Sequence, residues 1–290
     1  YIRSAVEAAV QRRLAQGEKL PVAALETFVT TQDNHPRARR FAYELLLGAD
    51  PTAGDRLLPK MLHDADVDLR RDAVARLLED KTKASYERAF AAAVDDDQVK
   101  AIAAWLKEQG EQVDIARHYG YVMDWHLVGP FDNKDEAGYA VSRGPEGQPV
   151  DLTAAFPASH EQGTAKWTPF VTSDTYGKVD LNEVLGKYKG AICYAVTFFD
   201  AAEERDVQFR FSSMNACKLY LNGQLIDAHE VYHAGKSLDQ YISTGRLQKG
   251  KNTILLKVCQ NEQTESWAQD WGFQLRVCDA AGAAVLAQGR

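Results

Sequence analysis

The sequence predicts a chain of two unlike parts, a short α-solenoid followed by an antiparallel β-sandwich. Three observations predict it. Apolar residues recur at helical spacing up to about Arg117 and then change to alternation with a period of two. The helical part resembles itself at an offset of 31 residues. The remainder is cut into short strand-like blocks by turn signals, closing with Cys217–Gly223 and Leu247–Val258. The expected domains are residues 1–117 and 118–290.

A chain of 290 residues is long enough for two separate cores. A content of 45% hydrophobic and 26% charged residues is that of an ordinary globular protein. The net charge of −7 argues against a general nucleic-acid binder, which needs a cationic face to displace counterions from phosphates. No apolar run approaches the roughly 20 residues of a membrane-spanning helix. The first residue is Tyr1, as expected of a processed form or an excised piece.

In the first part, a helix over about Ser4–Gln16 is expected to be an incomplete repeat or a cap. Ala38, Phe41, Ala42 and Leu45 follow the i, i+3, i+4, i+7 rule, as do Val99, Ile102, Ala103 and Leu106. Asp33, Arg39, Arg40, Ala42 and Leu46 recur as Asp64, Arg70, Arg71, Ala73 and Leu77. Over residues 20–108 this pattern resembles HEAT or HEAT-like repeats, in which small inward residues let paired helices approach and stacked neighbours complete the core. The resemblance implies a surface for a protein partner. The unit around Asp95–Leu106 lacks the arginine pair, as a terminal repeat can. The arginines have two readings: a ladder gripping an acidic partner, or internal ties from turn to helix. Asp66, Asp68 and Asp72 beside them favour the ties.

The second part opens with Trp125-His-Leu-Val-Gly-Pro-Phe131, expected as an edge strand stopped at Pro130, since proline donates nothing to a ladder. This W-x-x-x-G-P-F start and the loop holding Asp132, Asn133 and Asp135 resemble the entry of sandwich modules in large secreted bacterial proteins, which implies an exported protein. Residues 132–180 read as loops, with Trp167 in a short extended piece. Ala191–Phe199 is apolar on both faces and reads as a central strand. Val207, Phe209 and Phe211 alternate with polar residues, as do Trp271, Phe273, Leu275 and Val277, and Ala284–Ala287 reads as a last strand. Asn222-Gly223 marks a two-residue hairpin. Gly250 lies in a turn that feeds a strand with Ile254, Leu256 and Val258 on one face. Residues 188–288 resemble the galactose-binding-like jelly roll of carbohydrate-binding modules and of the sugar-binding domain of family 2 glycoside hydrolases. Such sandwiches bind or brace.

All four cysteines fall in strand-like segments. With strands 253–259 and 271–278 as a hairpin, Cys259 and Cys278 lie about 20 Å apart by strand rise, beyond the ~7 Å limit of a disulfide. Cys193 and Cys217 could meet across the sandwich or, like the others, be buried free thiols.

His229-Glu230-Val231-Tyr232-His233 matches H-E-x-x-H, which on a helix places two imidazoles on one zinc and a glutamate on its water. Here the motif follows a hairpin strand. Extended, its histidines are about 13 Å apart, too far for a common zinc with ~2.1 Å bonds. A zinc-dependent hydrolase using His229, Glu230 and His233 is therefore the alternative reading. No P-loop, nucleophile elbow or dinucleotide fingerprint is present, and no cofactor is expected.

The expected reading is a non-catalytic binding or assembly module, with glycan contact at the sandwich loops. The candidate residues are Asn261, Glu265 and Trp267 in the long loop Gln260–Asp270, and His229, Tyr232 and His233 in the neighbouring loop. Trp267 reads as the exposed aromatic, with loop packing as its competing role, and Trp271 as core. Asp132, Asn133 and Asp135 have the oxygen ligands of a Ca²⁺ site, against the plainer reading of a solvated turn.

Overall fold

A computed structural model describes residues 2–147, 149–159, 163–235 and 237–289. The chain forms two compact units, Tyr1–Val113 and Asp114–Arg290. Residue 117, the expected boundary, lies inside helix α8, Ile115–Tyr119, which Asp114 caps by accepting from the Arg117 N–H.

The first unit contains α1 (Ile2–Ala15), α2 (Val22–Thr30), α3 (Pro36–Ala49), α4 (Ala53–Leu57), α5 (Val67–Leu78), α6 (Lys83–Ala92) and α7 (Asp96–Glu108). Their starts are written in the sequence. Pro36 occupies the first turn of α3, where its missing N–H costs nothing. Asp66 accepts from the N–H groups of Asp68 and Leu69 to cap α5, and Thr82 with Ser85 forms a capping box on α6. Val29, Tyr43, Leu46, Leu57, Met61 and Leu69 form a core around the small residues Ala42 and Ala73. Helix α1 buries no residue.

The arginine pairs are internal ties. Arg39, fully buried, donates to both carboxylate oxygens of Asp64 at 3.0 and 2.6 Å and to the Val29 carbonyl at 2.7 Å. Arg70 donates to the Ala92 carbonyl at 2.5 Å. Arg40 pairs with Asp72, and Arg71 holds Asp97 through two hydrogen bonds. Each links its helix to a turn or helix further along the chain, and bidentate guanidinium geometry suits that task.

The second unit holds two antiparallel sheets that share a core. The larger runs β4 (Thr168–Val171), β1 (Asp124–Asp132), β6 (Ala191–Ala201), β11 (Gly250–Gln260), β8 (Cys217–Leu221), β9 (Gln224–His229). The smaller runs β10 (Tyr241–Leu247), β7 (Arg205–Ser213), β12 (Gly272–Cys278), β5 (Val179–Asp180). Trp125, Leu127, Leu219, Ile254 and Leu256 of the first meet Val207, Phe209, Phe211, Leu275 and Val277 of the second. The β8–β9 turn has Asn222 at φ 51° and Gly223 at φ 82°, the left-handed pair that a tight hairpin requires.

Several expectations need correcting. Pro130 does not end β1, which continues to Asp132 past an irregularity between Val128 and Phe131 and lies inside the sheet, flanked by β4 and β6. The skipped register is where a residue without an N–H is harmless. Strands β11 and β12 are not a hairpin: β11 pairs with β6 and β8, and β12 with β7 and β5 in the other sheet. Ala284 makes only a single bridge to Cys278, so no strand runs over 284–287. Cys193 and Cys217 both lie opposite Val258, one on each side of β11. Two strand spacings separate them by about 9–10 Å, outside disulfide range, and all four thiols are free.

Residues 132–180 are more than loops. They include β4, the small β2–β3 hairpin (Ala155–Pro157, Thr164–Lys166) and a 3₁₀ segment, Lys134–Tyr139. Part of this stretch covers the outer face of the larger sheet, where Tyr139, Ala165 and Trp167 pack on Phe131, Ile192, Tyr194, Val196, Tyr220, Leu255 and Cys259. That explains why β6 and β11 are apolar on alternate and intervening residues alike: one set enters the inner core, the other this outer layer.

Candidate ligand-binding site

Three segments converge beyond the ends of β1, β9 and β11: residues 133–136, 230–235 and 261–270. The first is held by Asn133, which is fully buried and donates through Nδ2 to the Tyr232 hydroxyl and the Gln260 carbonyl, each at 3.0 Å. The Asp135 N–H then donates to Glu262 at 2.9 Å. Asp135 and Glu136 both have positive φ, 51° and 61°, an uncommon backbone for residues other than glycine.

Asn261 is the hub. Its Nδ2 donates to Glu136 at 3.2 Å and to Gln263 at 3.0 Å. Its Oδ1 accepts from the Gln263 N–H at 3.3 Å and lies 3.2 Å from His233 Nε2. With both ends of the amide assigned by partners, His233 Nε2 is the donor to Asn261 Oδ1. His233, at φ 57°, turns its ring edge-on to Trp267 with centroids 5.0 Å apart. Trp267 rides on a 3₁₀ turn, Ser266–Ala268, and leaves 58% of its surface exposed.

Glu265 precedes that turn, and its carbonyl accepts from the Ala268 N–H and from Gln269 Nε2. Its side chain lines an open cleft of about 670 Å³ with Asp135, Glu136, Asn261, Glu262, Gln263 and Thr264. Lys189 supports the turn from below, donating to the Ala268 carbonyl at 2.8 Å, and burial pushes its ammonium below the ordinary lysine range.

Thus Trp267, His233, Asn261 and Glu265 come together, with Tyr232 behind them. The Tyr232 hydroxyl accepts from Asn133, its ring packs on the outer hydrophobic layer, and burial drives its pKa upward. It is a support. His229 is elsewhere: it ends β9, stacks on Tyr241 at 3.6 Å between centroids, and places Nε2 2.9 Å from Asp227 Oδ1. The H-E-x-x-H stretch is therefore a strand end and a loop, and its two imidazoles serve different neighbours. Among the described residues, no cluster of three or more His, Cys, Asp or Glu side chains has the arrangement of a metal site. Of the suggested calcium ligands, Asn133 is buried under Tyr232 with its Nδ2 donating and its Oδ1 unpartnered, and Asp132 accepts from the Lys134 N–H and from Arg143.

Sequence reasoning missed Glu136, Glu262 and Gln263 as members of the site. Glu136 reaches Asn261 across 125 positions, and only the outer layer, which sets residues 133–136 against 260–263, makes that meeting visible.

No family model and no curated protein matches the chain. Among solved structures, it is similar to a β-glucosidase from Kluyveromyces marxianus at 14% identity and a TM-score of 0.31, over 53% of this chain and 16% of that one. An uncultured Clostridium sp. β-glucuronidase gives 14% identity and a TM-score of 0.31, over 55% and 28% of the two chains. A family 35 carbohydrate binding module from Clostridium thermocellum gives 14% identity and a TM-score of 0.20, over 31% and 78%. The match spans less than a third of either glycosidase, and likeness at this level says nothing of ligands.

Proposed function

We propose that the chain is a non-catalytic binding and assembly module: a jelly-roll sandwich that contacts carbohydrate at the Trp267 site, and a short HEAT-like solenoid that meets a protein partner. The observation that carries the glycan reading is the exposed indole of Trp267, edge-on to His233, which in turn contacts Asn261 on the wall of a cleft lined by Glu262, Gln263 and Glu265. A sugar ring offers an apolar C–H face ringed by hydroxyls. An aromatic plane beside amide and carboxylate groups offers the complement of both. Buried tryptophans in this unit, such as Trp125 and Trp271, donate their indole N–H to backbone carbonyls and pack in the core, so the exposure of Trp267 is a departure from how the fold uses the residue elsewhere.

The solenoid reading is supported by the 31-residue recurrence, since Arg39 and Arg70 are both buried and both reach a backbone carbonyl outside their own helix. No observation favours the zinc hydrolase.

The test is a glycan array probed with the wild type and with Trp267→Ala, followed by calorimetry on each hit. Binding that falls at least tenfold on substitution is expected. Binding indifferent to Trp267, or none to any glycan, sinks the carbohydrate reading.

A further inference from the structure

We propose that a groove on the helical unit docks a short acidic, leucine-bearing peptide segment of a partner protein. This rests on the reading of the helical unit as a protein-binding element and names the face and the chemistry. Two adjoining hollows, about 460 and 220 Å³, share Pro59, Leu62 and Arg88 as common walls. One side is the chain leaving α4, with Pro59, Lys60, Leu62 and His63; the other is α6, with Arg88 and Ala91. Ala73 and Leu77 of α5 floor the smaller hollow. Leu62 and Leu77 are only half-buried, so each offers apolar area that a partner can still cover.

Charge selects the occupant. Arg39, Arg40, Arg56, Arg71, Arg76 and Lys83 of this unit all hold carboxylates. Among the described residues, Lys60 and Arg88 have no such partner; Arg12, Lys19, Arg37, Lys81 and Lys107 are likewise without one, but only Lys60 and Arg88 of these line the larger hollow. The one carboxylate of the larger hollow, Asp64, is buried and neutralised by Arg39. The mouth of that hollow therefore carries two uncompensated cations on a protein of net charge −7, beside an apolar strip. A carboxylate meets a guanidinium through paired hydrogen bonds, and leucine fits the strip. A phosphate backbone would use the cations and waste the strip. Asp80 lines the smaller hollow and not the larger, so the ligand's carboxylates are favoured at the larger one, beside Lys60 and Arg88.

The experiment uses the full chain and three fluorescein-labelled probes: a short peptide alternating leucine with glutamate, its counterpart with lysine for glutamate, and a short single-stranded DNA. Anisotropy is expected to show binding of the acidic peptide alone, weakened at least tenfold by Lys60→Glu with Arg88→Glu and by a smaller factor with Gln at both positions. Thermal melts by circular dichroism confirm that the variants fold. Equal binding of both peptides, preference for the DNA, no binding of the acidic peptide, or affinity unmoved by charge reversal would overturn the proposal. Glycan binding at Trp267 is read in parallel: its loss in wild type strikes the sandwich reading alone, while a peptide failure strikes this groove alone.

Discussion

Lys257→Met removes the most deeply buried cation of the second unit, and its cost follows from what the ammonium holds. Lys257 is fully buried on β11, facing the outer layer. It donates to the carbonyls of Tyr139 and Val141 at 3.0 and 2.9 Å and to Glu146 at 2.8 Å. Glu146 also accepts from the hydroxyls of Tyr194 and Tyr220. Methionine fills the space but leaves a buried carboxylate without its cation and two carbonyls without a donor. Breaking a buried pair from one side costs about 3–5 kcal/mol. With a urea m-value of about 2–3 kcal/mol per molar, the midpoint should fall by roughly 1–2.5 M. Tryptophan fluorescence reads it, since four of the five tryptophans lie in this unit. Adding Glu146→Gln should restore part of the loss, with a coupling of about 0.5–3 kcal/mol, because a neutral amide still accepts from the tyrosines. A midpoint unchanged in Lys257→Met, or a double variant as unstable as the sum of both single variants, would refute the argument. The acid limb adds a check. Burial raises the Glu146 carboxyl, but Lys257 and the two tyrosines outweigh it and leave it below the ordinary glutamate range. A lowered folded-state value means stability that is present above about pH 4.3, the unfolded value, and lost as pH falls through the folded one. Glu146→Gln should lack that part of the acid transition.

Arg39→Met strands Asp64 in the core of the helical unit and should cost about 3–5 kcal/mol, seen as a lower helical melting temperature by circular dichroism. Trp267→Ala, a surface change, should leave stability within about 0.5 kcal/mol while it removes glycan binding, a separation that a packing role for the indole would not give. Burial pushes the thiols of Cys217 and Cys259 up to about 12, so a disulfide-exchange reagent at neutral pH should find no reactive cysteine in the folded chain and four in urea.

How much of this was legible in the sequence depended on distance along the chain. The Asn222-Gly223 turn, the inward set Val207, Phe209, Phe211 and the burial of Trp271 are local patterns, and the structure has all of them. The doubly apolar β6 and β11 were readable as central, but what lay on their outer face was not. The covering segment is rich in Gly, Pro and Asp and has no periodicity, and it is ordered by distant anchors such as Lys257 and Asn133. Pro130 misled for a related reason: proline forbids a ladder bond at one residue, and a neighbouring irregularity absorbs that without ending the strand. In the site, the meeting of Asn261, His233 and Trp267 follows from two adjacent loops, whereas Glu136 enters only through the outer layer.

The pairing error between β11 and β12 also explains why an exposed platform exists. Because the two strands belong to different sheets, residues 261–271 must cross a gap of about 10 Å instead of turning back. A crossing segment leaves its backbone without ladder partners, and each unpaired polar group that is buried is costly. Side chains meet that need: Lys189 donates to the Ala268 carbonyl, Asn182 to that of Gln269, Asn215 to that of Asp270, and Gln269 itself to those of Thr264 and Glu265. Ala268 and Trp271 turn inward as the segment enters the second sheet. Within the tight turn Ser266–Ala268, anchored at both sides, Trp267 is left facing out. Its exposure is thus built by a backbone fastened from below, and a ligand of the proposed site would meet a turn already held in place, which lowers the entropy lost on binding. Cutting one fastening, as in Asn215→Ala, should weaken glycan binding through a looser turn without touching the indole. Affinity for glycan unchanged in that variant would show that the platform does not depend on its anchors.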